Sequence, residues 1–158
     1  MSHEQSLKNL QTALAMELTA AHQYQLHASV LMDWGMDRLA TQMRKEMQEE
    51  LGHSDSFIER LMFLKGEPSL EMAKKPLLAS SLVEMFEADL ADEKEAIQFY
   101  SAAARTANND SDIGTRTLFE RIVLDEEGHM AWLELQLDLL RRIGEPAYIS
   151  KHMSDPGE

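Results

Sequence analysis

Apolar residues recur along this chain in alternating steps of three and four, in four blocks separated by polar or glycine-bearing breaks. That period puts them on one face of an α-helix, whereas a half-buried strand would alternate strictly. Leu7, Leu10, Leu14, Ala21, Tyr24, Ala28 and Leu31 form the first stripe, and Met36, Leu39, Met43, Phe57, Leu61 and Leu64 the second. Leu82, Phe86, Ala96, Tyr100, Ala103 and Ala107 mark the third; Phe119, Ile122, Leu133 and Leu140 mark the fourth. The breaks fall at Trp34-Gly35, from Gly66-Glu67-Pro68 to Pro76, at Asn108-Asn109-Asp110 and at Gly144-Glu145-Pro146, where turn-forming residues gather.

These limits predict helices over residues 4–34, 36–64, 81–108 and 112–143, with a short fifth helix over 146–152. Each long helix would run about 40–45 Å, a length that suits a bundle better than an ordinary globular packing. Ser81, Asp110 and Ser111 are the expected N-caps, because their side-chain oxygens can accept from backbone N–H groups of the first turn. Short first and third connections make each flanking pair antiparallel, and the long connection over 65–80 can carry the chain across the bundle. The whole of residues 1–158 is expected to form one all-α domain.

The stripes have gaps, and charged residues fill them. Glu17 falls between Leu14 and Ala21, Glu50 and His53 between Met43 and Phe57, Glu93 between Phe86 and Ala96, and Glu126 and His129 between Ile122 and Leu133. Four carboxylates and two imidazoles therefore point inward near mid-helix. Buried like charges repel and lose their hydration, so something positive should sit among them. Two divalent ions balance four carboxylates when both imidazoles are neutral. Residues three apart share a helix face, so each Glu-x-x-His pair presents an oxygen and a nitrogen together. One Glu from each of two helices with Glu-x-x-His from each of the others is the known signature of carboxylate-bridged di-metal bundles.

An internal repeat strengthens this reading. A shift of 76 residues carries Glu17 onto Glu93, Tyr24 onto Tyr100, Glu50 onto Glu126 and His53 onto His129. Two pseudo-equivalent halves would then supply matched ligands to two ions. Oxygen-rich coordination with one imidazole per ion suits iron or manganese better than copper, and lacks the sulfur cage of structural zinc. Glu50 and Glu126 are the expected bridges and Glu17 and Glu93 the terminal ligands. Asp125, beside Glu126, and Asp89, one turn before Glu93, are candidate acceptors for histidine N–H groups, and Tyr24 is a candidate hydrogen-bonding neighbour. Tyr100 is read as core filler, His22 and His27 as surface or contact residues, and Glu46 as facing the bundle, where it could assist metal entry.

Composition narrows the alternatives. No cysteine is present, which excludes disulfides, thiolate metal sites and cysteine nucleophiles. A formal net charge of −13 argues against nucleic acid, whose phosphates require Lys and Arg. The polar N-terminus lacks the apolar core of a secretory signal and no apolar run is long enough to span a bilayer, so a cytoplasmic protein is expected.

The stretches ELTAAHQY (17–24), WGMDRLA (34–40), EELGHSDSFIERLMFLKGEPSL (49–70), DLADEKEAI (89–97) and DEEGHMAWLELQLDLL (125–140) resemble a bacterioferritin over nearly the whole chain. The resemblance implies a ferritin-like up-down-down-up four-helix bundle with a long crossover. It also implies a spherical shell of twenty-four subunits assembled from dimers, and a ferroxidase centre in each bundle. That centre would oxidise Fe(II) for storage as ferric mineral, with Glu17, Glu50, His53, Glu93, Glu126 and His129 as catalytic and iron ligands. In that family haem b lies between two subunits on a methionine placed directly after the second-helix glutamate. Here that position is Leu51, and Met47, one turn earlier, is the remaining candidate. Lys45 and Glu49 stand where some members hold an inner-surface iron on His and Asp. A second, haem-binding bacterioferritin subunit and a ferredoxin-type reductant are the partners the resemblance allows. The competing reading is a ferritin-like di-iron peroxidase or oxygenase that stores nothing; a shell subunit with a silent centre is the third.

Overall fold

The computed structural model describes residues 3–155 and is helical throughout its regular structure. Helix α1 spans Glu4–Asp33, α2 Asp37–Phe63, α3 Leu82–Asn109, α4 Ile113–Ile143, and α5 Glu145–Lys151. The all-α, ferritin-like arrangement is as expected, with helix ends within a residue or two of the pattern. Gly35 turns α1 into α2 with φ 85°, a left-handed conformation in which a side chain would be strained. Ser81 caps α3, its Oγ accepting from Glu84 N at 3.1 Å. The cap of α4 is neither Asp110 nor Ser111 but Asp112, whose Oδ1 accepts from Thr115 N at 3.2 Å. Asp110 still closes α3, and Ser111 has φ 58°, so the turn delays the next helix to Ile113. No helix among the described residues is long and apolar enough to cross a membrane.

The pairs α1–α2 and α3–α4 pack most extensively, while α1 meets α3 and α2 meets α4 along two opposite seams. The apolar stripes do not merge into one core. One cluster gathers Leu10, Leu14, Phe57, Leu61, Tyr100, Phe119 and Ile122, with the rings of Phe57, Tyr100 and Phe119 packed edge-to-face or tilted at centroid distances of 5.4–5.7 Å. A second gathers Leu31, Leu39, Met43, Phe86, Leu133 and Tyr148 towards the other end. Helix α5 folds back to seal that end: Tyr148 is fully buried and its hydroxyl donates to Gln136 Oε1 at 2.7 Å. Between the two clusters lies a buried polar belt.

The crossover runs along α1 on a ladder of four-residue steps. Gln11 exchanges two hydrogen bonds with the backbone of Ser69, Ala15 O accepts from Ala73 N, Thr19 Oγ1 accepts from Ala73 N, and Gln23 exchanges two bonds with Leu77. Positions 11, 15, 19 and 23 share one helix face, so a polar stripe on α1 replaces the missing ladder of an irregular segment.

Candidate metal centre

The polar belt is built from the six residues that interrupt the stripes. Glu17 from α1, Glu50 and His53 from α2, Glu93 from α3, and Glu126 and His129 from α4 are all buried, and their carboxyl oxygens and ring nitrogens converge at mid-bundle. They fall into two overlapping groups, each with all its ligand atoms within 4.8 Å of one another. Glu17, Glu50, His53 and Glu126 form one; Glu50, Glu93, Glu126 and His129 form the other. Glu50 and Glu126 belong to both.

Each imidazole turns Nδ1 inward. His53 Nδ1 lies 2.9 Å from Glu126 Oε1 and 3.5 Å from Glu17 Oε1; His129 Nδ1 lies 3.0 Å from Glu50 Oε1 and 3.5 Å from Glu93 Oε1. Glu17 Oε2, Glu50 Oε1, Glu93 Oε2, Glu126 Oε1 and both Nδ1 atoms are buried without an aligned hydrogen bond. Six orphaned lone-pair atoms gathered in the bundle interior form a donor set that fits two divalent cations, since a buried polar atom normally has a partner.

The electrostatics of the protein alone agree. Burial and the neighbouring carboxylates push Glu17 above the usual carboxylate range and Glu50 and Glu93 well above it, so the protein alone disfavours negative charge on all three. Glu126 goes the other way: burial opposes its charge, but the close approach of Glu93, His129 and His53 holds it well below that range. Burial also disfavours charge on His53, yet Glu126 and Glu17 override it and hold the ring up to about 11. His129 is raised further still by Glu126, Glu46, Glu50 and Glu93 against the same desolvation. Charge concentrated in this way is disfavoured by the protein alone and would be relieved by bound dications.

The surrounding shell departs from the sequence reading in three places. Tyr24 donates to Glu93 Oε1 at 2.6 Å, as a hydrogen-bonding neighbour should. Tyr100 is not mere filler: its hydroxyl donates to Glu17 Oε1 at 2.8 Å, because the same helical register that buries its ring aims its oxygen at the belt. Asp125 Oδ2 meets His53 Nε2 at 2.9 Å, but Asp89 does not serve His129. Asp89 instead bonds His27 Nδ1 at 2.9 Å, and His27, expected at the surface, is buried beneath the crossover with Gln23 on its other nitrogen.

The Nε2 of His129 faces Glu49 at 2.5 Å and Glu46 at 2.7 Å. Glu49 was missed, although the repeat contains it: shifted by 76 it falls on Asp125. The two halves exchange partners, α4 supplying the outer acid for the α2 histidine and α2 for the α4 histidine. His3 and His152, which have no partner apparent in sequence, meet Asp112 at 3.6 Å and Tyr148 O at 2.8 Å.

Residues 7–143 match the family model described as a ferritin-like domain. A bacterioferritin of Brucella melitensis is 39% identical over 142 residues, which cover 90% of this chain and 88% of the relative. One from Rhodobacter capsulatus is 38% identical over 135 residues, covering 85% and 84%. The solved structure of Rhodobacter capsulatus bacterioferritin, described with a metal-free dinuclear site and a haem iron in a crystallographic special position, superposes with a TM-score of 0.95 at 33% identity. That similarity covers 100% of this chain and 98% of the other.

Proposed function

The chain belongs to the bacterioferritins of the ferritin-like family, and from that premise we propose that it oxidises Fe(II) at the buried belt and stores the product as ferric mineral. The observation that carries this reading is the pair of overlapping ligand sets sharing Glu50 and Glu126. Fe(II) is the substrate. One ion would take Glu17 and His53 with the two shared carboxylates, the other Glu93 and His129 with the same two. A pair of ferrous ions gives up two electrons, enough to reduce one dioxygen with two protons to hydrogen peroxide, or one peroxide with two protons to two waters.

The chain's own groups prepare that step. Tyr24 and Tyr100 hold Glu93 and Glu17 by one oxygen each, leaving the second oxygen of each carboxylate for the ion. Asp125 and the Glu46–Glu49 pair engage the outer nitrogens, which fixes the rings with Nδ1 inward and increases their basicity. Burial excludes bulk water, so charge on the ligands acts through a poorly screened medium.

Haem fits less well. Leu51 offers no lone pair, and Met47 is half-buried, one side of it packed against the second apolar cluster. The pattern supports a shell without haem, or one shared with a second, haem-binding chain. Exposed Phe63, Leu70, Leu77, Leu78 and Leu124 are apolar surface of the kind that assembly would cover. A twenty-four-subunit cytoplasmic shell, discharged by a ferredoxin-type reductant, completes the proposal.

Replacing Glu93 or His129 with Ala should abolish rapid Fe(II) oxidation, followed by stopped-flow absorbance, while the assembled mass measured by light scattering stays unchanged. Unaltered kinetics in both variants would remove the belt from the chemistry. A wild-type chain that never grows beyond a dimer would instead favour the peroxidase or oxygenase reading.

A further inference from the structure

On the α1–α3 seam, opposite the seam that carries Glu46 and Glu49, a cavity of about 180 Å³ leads from the surface to the belt. Glu17, Glu50, Glu93 and Glu126 line its floor. Its outer part is lined by Asp89, Asp92 and Glu95 of α3 and roofed by Ala73 and Lys74 of the crossover. It has room for several waters or a hydrated ion. Acidic groups therefore stand at the rim and at the floor, with Met16, Ala20 and Ala96 on the walls between them, and the four floor glutamates carry orphaned oxygens, Glu17 Oε2, Glu50 Oε1, Glu93 Oε2 and Glu126 Oε1.

The roof itself is tied down. Thr19 Oγ1 accepts from Ala73 N and Lys74 N, and Gln23 holds Leu77 by both its N–H and its carbonyl. Opening by lifting the crossover would break all of these bonds. A cheaper movable part is the side chain of Lys74, whose ammonium reaches over to Asp92 Oδ1 at 2.6 Å while remaining 57% exposed. The Asp92 hydrogen bond raises the lysine further above its ordinary range, so it is cationic at any physiological pH. In a passage with carboxyl groups at rim and floor, a single positive charge at the rim occupies the place an arriving cation would take.

We propose that this cavity is the route by which Fe(II) reaches the centre, and that Lys74 is a tethered cation at its mouth, yielding Asp92 to each incoming dication. The proposal rests on the di-metal reading above and adds to it a path and a residue that sets the rate of entry. Lys74 touches no ligand of the centre, so it governs arrival and not affinity once bound. Its ion pair with Asp92 is partly solvated, and pairs of that kind bias an equilibrium by roughly two- to fivefold. Removing the charge should speed entry by that factor, and reversing it should add electrostatic steering of about tenfold or more.

The test is anaerobic stopped-flow association of Co(II), read from its d–d absorbance, in the assembled protein carrying Lys74→Gln, Lys74→Glu or Lys74→Arg. Association should quicken about two- to fivefold for Lys74→Gln and about tenfold for Lys74→Glu at low salt. The second gain should shrink as ionic strength shortens the screening length. Lys74→Arg, which keeps the charge, should bind at the wild-type rate, and all four proteins should end with the same two ions per chain. Equal rates in all four, with two ions bound, would overturn the route while leaving the centre intact. A wild-type chain that takes up no Co(II) would overturn both the centre and the route.

Discussion

Glu50 and Glu126 belong equally to both ligand sets, yet changing each to Gln should affect the metal-free protein very differently. Burial, Glu17 and Glu126 push Glu50 well above the ordinary carboxylate range, which favours its neutral form when no cation is bound. Gln is nearly the same shape and also neutral, and the substitution should cost no more than about 1 kcal/mol. Glu126 is held well below that range as the anion facing both imidazoles, with His53 Nδ1 at 2.9 Å and His129 Nδ1 at 3.6 Å. Replacing it leaves two buried cations short of their counter-charge, and breaking a buried pair in this way costs about 3–5 kcal/mol. For a domain of this length each kcal/mol moves the midpoint by roughly 2–4 °C, so Glu126→Gln should melt about 6–20 °C below wild type.

Circular dichroism melts of chelator-treated protein at pH 7 measure both shifts. A subsequent Co(II) titration should show the two variants converge, each losing both tight sites, because either carboxylate serves both ions. Should Glu50→Gln melt as far below wild type as Glu126→Gln, the assignment of charge within the belt would be wrong.

Two further outcomes are expected. Asp112 is held down to about 2 from 3.8, burial opposing and Thr115, Ser6 and Arg60 favouring its charge, so it stabilises the fold above pH 4 and loses that contribution as pH falls through about 2. Urea unfolding should therefore show Asp112→Asn less stable than wild type by about 1–2 kcal/mol at pH 5, the gap narrowing towards pH 2; a constant gap would refute the linkage. With Leu51 at the position after Glu50 and Met47 half-buried one turn earlier, haemin titration of the assembled chain alone should yield no bis-methionine Soret signature, whereas Leu51→Met should create one; a wild-type signature lost in Met47→Leu would show that Met47 ligates after all.

The convergence of these six side chains was legible because helical spacing is rigid: a polar residue inside an apolar stripe must enter the core wherever the stripe does. The 76-residue repeat held more than the ligands, for it also relates Tyr24 to Tyr100 and Glu49 to Asp125, and in the structure each member serves the opposite half. Carried through consistently, that shift points to Glu49 instead of Asp89 as the outer partner of His129. What it could not reach are the positions where the halves differ. Glu46 corresponds to Ile122, His27 to Ala103 and Asp89 to Ala13. The burial of His27 depends on a crossover with no period of its own to read, docked on Gln11, Ala15, Thr19 and Gln23. These unmatched polar groups attach to one half of the belt: Glu46 touches His129, and Asp89 precedes Glu93 by one turn. Two ions bound here would thus have equivalent ligands but unequal surroundings, the one on Glu93 and His129 lying in the more acidic setting. Symmetry in the chain sets which atoms would bind, and its breaking sets how the two positions would differ.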